Sequence, residues 1–198
     1  MQRKTNIGSN ANVLRHVRRQ ILDWSNIKRI SIIGPSGSGK STLAVKLGQL
    51  LDLPVHHVDC YYLKQNWQHI GKDELAKQIK KVTQGSKWII DGTYTVTLEN
   101  RFACSDLVIY LNLPLDFCIE TVKQRNEQKE KRIGLPKYLK PDNERLDELL
   151  IHLRTTPERY QKIPMLIARY KEKVIELKSR GEIDELVAAL DSTSLTLL

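Results

Sequence analysis

Apolar residues along this chain alternate between two periods. Short, largely β-branched runs predict five strands: Ile30-Ser31-Ile32-Ile33, Pro54-Val55-His56-His57-Val58, Trp88-Ile89-Ile90-Asp91, Leu107-Val108-Ile109-Tyr110-Leu111 and Lys173-Val174-Ile175-Glu176-Leu177. Between them, apolar residues fall at helical spacing: Leu43, Leu47, Leu50 and Leu51 over 40–51, Leu75, Ile79 and Val82 over 72–84, and Leu115, Cys118, Ile119 and Val122 after Pro114. A closing helix is predicted over 182–190. Strands separated by helices predict an α/β fold, a parallel sheet with helices on both faces. Upstream, Val13, Val17, Ile21 and Trp24 predict an amphipathic helix over 12–24 with Arg15, Arg18 and Arg19 on its other face. The expected organisation is a basic extension, 1–26, followed by a domain over 27–198. The extension reads as a helix docked on the domain, or as a transit peptide; it has no apolar stretch of the secretory kind.

The loop after the first strand brings in the chemistry. Gly34-Pro35-Ser36-Gly37-Ser38-Gly39-Lys40-Ser41, with Thr42 following, satisfies G-x-x-x-x-G-K-[ST] at every fixed position. Glycines there let backbone N–H groups turn inward around phosphate oxygens, and the following helix adds its positive dipole end. Lys40 is placed to reach the β- and γ-phosphates of ATP, and the Ser41 hydroxyl to ligate Mg2+. Asp91, at the end of the third predicted strand and followed by Gly92, is the candidate second Mg2+ ligand. Asp59 closes the second predicted strand and faces the same crevice; for either aspartate a turn or helix cap is the ordinary alternative. Asp106 precedes its strand and belongs at the opposite edge of the sheet. Tyr61, Tyr62, Trp67 and Tyr94 lie in the segments that would line an acceptor pocket, where they could stack a base or sugar, or simply pack in the core.

Composition and charge narrow the classes. The 198 residues are 40% hydrophobic and 28% charged, which fits one folded domain and excludes disordered and fibrous classes. No apolar run approaches the ~18 residues of a membrane span. Cys60, Cys104 and Cys118 form no disulfide or metal framework, as expected of a cytoplasmic protein. The net charge of +9 is concentrated: residues 1–30 carry seven Lys/Arg against one acid, and residues 123–145 eight against four. Such patches meet polyphosphates or nucleic acid, or are solvated faces.

With these pieces in place the chain resembles the P-loop kinases of the adenylate-kinase type, and more closely the adenylate-kinase-related bacterial DNA topology modulation proteins. The resemblance rests on the stretch from Ile32 through the phosphate loop to Ala44, on Leu53-Pro54-Val55-His56-His57-Val58-Asp59 with Trp67, on Trp88-Ile89-Ile90-Asp91-Gly92-Thr93-Tyr94 with Arg101, and on Leu107–Leu111 running into Asn112-Leu113-Pro114. It covers about residues 28–190. It implies a three-layer α/β/α fold with a five-stranded parallel sheet of order 2-3-1-4-5, and a helical lid, here about 123–145. It also implies an acceptor site over the second strand, with Asp59, Tyr62, Trp67, Asp91, Gly92, Tyr94 and Arg101 as candidates. Arg125 and Arg132 in the lid are candidates for stabilising the transferring phosphoryl group, with Arg154 and Arg159 weaker ones; a solvated helix face is the alternative. Asp59 would orient or deprotonate a hydroxyl acceptor, as its counterpart does in P-loop kinases of small alcohols.

Departures from that pattern also inform. No arginine stands between Thr42 and Asn100, where nucleoside-monophosphate kinases clamp the acceptor phosphate. Asn112, Thr93 and Leu115 replace the usual aspartate, asparagine and basic residue. The expectation is an ATP- and Mg2+-dependent phosphotransferase acting on a small acceptor: a nucleotide, a nucleoside or another hydroxyl compound. The alternative is a nucleotide-binding, DNA-associated regulator without kinase activity, although no DNA-reading motif is evident.

Overall fold

The computed structural model describes residues 24–128, 133–134, 146–147, 150–151 and 161–194. Five strands, β1 (Arg29–Ile33), β2 (Val55–His57), β3 (Trp88–Asp91), β4 (Leu107–Leu111) and β5 (Val174–Leu177), form one parallel sheet of order β2-β3-β1-β4-β5. The helices are α1 (Lys40–Leu51), α2 (Val58–Tyr62), α3 (Lys72–Thr83), α4 (Thr95–Cys104), α5 (Leu115–Glu127), α6 (Lys162–Arg169) and α7 (Arg180–Ser194). The three-layer α/β/α architecture and the strand order are those expected.

Side-chain alternation along the strands builds the two cores. Ile30 and Ile32 of β1, Ile109 of β4 and Ile175 of β5 face α1 and α7, meeting Leu43, Leu47, Ile183, Leu186 and Leu190. On the opposite face Ile33, Val108 and Val174 meet Leu98 and Phe102 of α4 and Ile163 and Leu166 of α6. A third cluster joins Trp88 and Ile90 to Val58, Leu75 and Ile79. Burial on both faces explains why these strands read as continuous apolar runs. Trp24, expected in the extension, is 7% exposed and packs in the first core, so the domain begins before residue 27. All but Trp24 of the expected helix over 12–24, most of the expected lid with Arg132, and the weaker candidates Arg154 and Arg159 lie outside the described residues.

Three local expectations are corrected. β2 ends at His57 and the chain turns at once into α2, so Asp59 lies in the first turn of a helix and not at the end of a strand. A helix, α4, fills 95–104, where none is expected. Leu115 is 41% exposed and does not share the buried face of Cys118, Ile119 and Val122. Among the described residues no helix is long and apolar enough to cross a membrane.

Asp106 lies at the sheet's N-terminal edge. Its carboxylate accepts from the backbone N–H of Lys28 (3.1 Å) and Arg29 (2.9 Å), and from Arg29 Nη2 at 2.6 Å. Burial alone would raise its pKa, but the Arg29 side-chain hydrogen bond, the Lys28 N–H and the Arg29 charge outweigh it, and the net shift is downward. A carboxyl depressed on folding contributes stability above its ordinary 3.8, lost as pH falls through the folded value. Because the pair is partly solvated, Asp106→Asn should cost only about 1 kcal/mol near neutral pH. In urea melts the gap between wild type and variant should shrink below about pH 4; a gap unchanged in acid would contradict the ion-pair reading.

Candidate functional site

β1 delivers the chain into the phosphate loop at the sheet's C-terminal edge, and α1 begins at Lys40. The loop is tightly packed: a Cβ built on Gly37, at φ +85°, would lie 2.2 Å from the Cys118 carbonyl oxygen of α5. Only glycine allows both that backbone angle and that approach. Lys40 Nζ donates to the Pro35 carbonyl at 2.7 Å, which folds the ammonium back across the loop. Ser38 Oγ is buried and has no hydrogen-bond partner among the described residues. A buried, unpartnered hydroxyl inside a glycine loop fits a site that takes a phosphate oxygen.

The structure brings Asp91 and Ser41 together. Ser41 Oγ donates to Asp91 Oδ2 at 2.6 Å, and Asp91 is 3% exposed. The other carboxylate oxygen, Oδ1, is 2.5 Å from His57 Nδ1. That contact follows from sheet register, since His57 and Asp91 are paired across β2 and β3. Burial pushes the Asp91 carboxyl up, but the hydrogen bond and charge of His57, the Ser41 hydroxyl and the Lys40 charge together hold it below the ordinary range. Burial likewise opposes a charged His57, and the Asp91 hydrogen bond and charge, aided by Asp59, reverse the shift to a net rise. An ionised carboxylate beside a hydroxyl is a hard-oxygen pair suited to Mg2+, which takes one or two protein carboxylates and fills its other positions with phosphate and water. Among the described residues no group of three or more His, Cys, Asp or Glu could hold a metal ion.

The four residues from Asp91 to Tyr94 join the parts of the site. Asp91 reaches Ser41 and His57. The Gly92 carbonyl accepts from Arg101 Nη1 at 2.6 Å. Thr93 Oγ1 donates to the Gly34 carbonyl at 2.7 Å and accepts from the Gly34 N–H at 3.0 Å, so a threonine pins the first residue of the phosphate loop. Tyr94 OH donates to Asp59 Oδ1 at 2.6 Å. Around Asp59 the rings assemble: Tyr62 packs on Tyr94 (4.8 Å between centroids) and stacks parallel on His69 (5.0 Å). His56 Nδ1 and Tyr61 OH are 2.6 Å apart, and burial lowers the His56 pKa, with the neighbouring His57 adding to it. Trp67 sits in the tight turn Gln65–Trp67 at φ +59°, a strained angle for an aromatic residue.

One arginine departs from expectation. Arg101 does not face the acceptor side: it is fully buried beneath the sheet, donating to the carbonyls of Gly92 and Ile90 (2.7 Å from Nη2) and, at 3.3 Å, Ile32. Burial pushes its pKa down to about 10, opposed by the Asp91 charge, so it stays charged at neutral pH and holds together the strand ends that carry the site. Its proposed role as an acceptor clamp is therefore withdrawn. Arg101→Leu would orphan these carbonyls and should destabilise the protein by at least about 3 kcal/mol in chemical denaturation. Arg101→Lys should recover little, because an ammonium lacks the planar fork. Near-wild-type stability of either variant would contradict this account. Arg125 lies in the last turn of α5, three residues beyond Val122, whose side chain packs near Gly37. Sequence reasoning missed Arg180: at the start of α7, its Nη1 would be 2.9 Å from a Cβ built on Gly39, which sets a guanidinium against the phosphate loop. No local motif signals it; only the strand order brings β5 beside β4 and α7 to the loop.

Between α5 and α6 a few described residues contact the rest of the fold. Leu146 and Leu150 pack on Ile119 and Val122 of α5. Gly134, at φ +83°, lies directly over the site: a Cβ there would be 2.8 Å from His57 Nδ1 and 3.1 Å from Ser41 Oγ. The Gly134 carbonyl accepts from Cys60 Sγ at 3.3 Å.

The five-stranded order, the phosphate loop and the crevice at the strands' C-terminal ends define the fold of the P-loop kinases. The deoxynucleoside kinase family model matches residues 89–191, just over half of the chain, and the chain belongs to that family. Two solved structures share the fold. A gluconokinase from Sinorhizobium meliloti 1021 aligns with a TM-score of 0.55 at 13% identity, over 87% of this chain and 96% of its own. A shikimate kinase from Bacteroides thetaiotaomicron aligns at 0.52 and 17% identity, over 84% and 98%. The curated protein YqaC of Bacillus subtilis (strain 168), itself uncharacterized, is 33% identical over 106 residues, which span 52% of this chain and 58% of that protein.

Proposed function

We propose that this protein transfers the γ-phosphoryl group of ATP to a hydroxyl of a nucleoside. The observation that carries the reading is the segment Asp91–Tyr94, which ties a phosphate loop, a carboxylate–hydroxyl pair and a second carboxylate, Asp59, into one unit. Membership in a deoxynucleoside kinase family supports the acceptor class. So does the chemistry around Asp59. Stacked and tilted rings suit a flat base, while no arginine stands between Thr42 and Asn100 and Arg101 is bound up with backbone carbonyls. Among the described residues around Asp59, no free guanidinium fork awaits an acceptor that already bears a phosphate.

In this reading the backbone of Gly34–Ser41, with Lys40 and Ser38, binds the nucleotide phosphates, and Arg180 and Arg125 add positive charge around them. Ser41 and Asp91 would hold Mg2+, which neutralises charge on the phosphate oxygens. Tyr94 holds Oδ1 of Asp59 and so fixes the carboxylate that would meet the acceptor O–H. Asp59 takes that proton as the acceptor oxygen bonds to the γ-phosphorus and the bond to the ADP oxygen breaks. Closure of the Gly134 turn over Ser41 would keep water out. The four motif blocks, in order, support kinship with the topology modulation proteins, while among the described residues no contact in the site favours DNA as partner.

The test is ADP release from Mg2+-ATP in the presence of nucleosides, deoxynucleosides, nucleoside monophosphates and small polyols. Release stimulated by nucleosides and not by monophosphates is expected. Stimulation only by monophosphates, by polyols or by DNA would overturn the acceptor assignment.

A further inference from the structure

His57 carries no motif and has no part in the phosphate loop, yet it touches more of the site than its position suggests. It ends β2, is half-buried, and its Nδ1 lies 2.5 Å from Asp91 Oδ1. Asp91 Oδ2 accepts from Ser41 at 2.6 Å, so the two carboxylate oxygens are held by different partners and the plane of the carboxylate is fixed. A carboxylate ionised in this setting can only accept, so Nδ1 must carry the proton. The ring is also held by the Gly134 backbone, which packs against it closely enough that a Cβ would lie 2.9 Å from His57 Cγ. Removing the Nδ1–H would leave Asp91 free to turn about its side-chain torsions or to give both oxygens to Ser41.

We infer that His57 is a positioning residue for the nucleotide's metal ion: through Nδ1–H it holds Asp91 so that Oδ2 is presented beside Ser41. It acts through Asp91 and does not touch the phosphates. The inference rests on the proposed ATP site and deepens it, by naming a residue that makes nucleotide binding metal-dependent. Hydrogen-bond partners of metal-binding carboxylates typically contribute about 10- to 100-fold to metal affinity.

The experiment is isothermal titration of the full chain with a non-hydrolysable ATP analogue, with Mg2+ and with a chelator, for wild type, His57→Leu and His57→Asn. The asparagine amide can place an N–H where Nδ1–H stood, whereas leucine cannot. Wild type should bind more tightly with Mg2+. His57→Leu should lose about tenfold of that Mg2+-dependent gain while its metal-free affinity changes little, and His57→Asn should recover most of it. Three results would overturn the inference: an undiminished gain in His57→Leu, equal losses with and without Mg2+, or no recovery in His57→Asn. Analogue binding to wild type that gains nothing from Mg2+ would also defeat it. Failure of the proposed function itself looks different, because wild type would then bind the analogue under neither condition.

Discussion

Asp59→Asn is expected to lower turnover with a nucleoside acceptor by about 100- to 10,000-fold, the range over which a positioned general base contributes. The substitution changes little else. Asparagine can still accept the Tyr94 hydroxyl hydrogen bond, 2.6 Å long in the wild type, so α2 and the ring cluster keep their anchor. It cannot take a proton. Nucleotide affinity should change far less than turnover, since asparagine keeps the size of the side chain and its hydrogen bond from Tyr94. The loss should therefore fall on kcat and spare the KM for ATP, the signature of an interaction made only in the transition state. Steady-state ADP release, together with analogue titration, checks this. A variant within a few-fold of wild-type turnover would remove Asp59 from the chemistry and leave the acceptor to be activated by another group.

How far the sequence carried the reading depends on the kind of signal each residue gives. The strands were legible because burial on both faces turns them into apolar runs, and the phosphate loop because its chemistry constrains four positions within eight residues. The strand order came from resemblance and not from periodicity, which says nothing about neighbours. Helix α4 was hidden: it opens with Thr95, Val96 and Thr97, a stretch of weak helix formers, and shows only Leu98 and Phe102 as an apolar pair. Packing of those two against Ile33 and Val108 decides the conformation, and that packing is tertiary.

Arg101 misled for a related reason. A charged residue after a functional motif reads as exposed, because arginines are seldom buried without partners. Here the partners are backbone carbonyls at the ends of β1 and β3, and no side-chain pattern announces them. His57 was overlooked because its meaning depends on a register that joins it to a residue 34 positions away. Asp59 and Asp91 were found because each stands at or just past the C-terminal end of a strand, where parallel α/β sheets gather ligands.

The second large effect is expected at Lys40. Lys40→Ala should reduce kcat/KM by at least about 100-fold, comparable with removing one preorganised donor from a developing negative charge. Its cost to the fold should be small. Lys40 is half-buried at the first position of α1, where alanine is a good helix former, and the Pro35 hydrogen bond it gives up is worth about 1 kcal/mol. Lys40→Arg should restore the charge but little of the activity, because a planar guanidinium cannot fold back over a loop in which a Cβ at Gly37 would already lie 2.2 Å from α5. The comparison separates two uses of the loop. If the protein only sensed nucleotide, Lys40→Ala would weaken binding and any acceptor-dependent release would already be absent from the wild type. If it transfers phosphoryl groups, the wild type releases ADP in proportion to acceptor, and Lys40→Ala and Asp59→Asn both abolish that release, the first with weakened nucleotide binding and the second without. Two variants at opposite ends of the Asp91–Tyr94 segment thus fail for different physical reasons, and a single pair of measurements, turnover and nucleotide affinity, tells them apart.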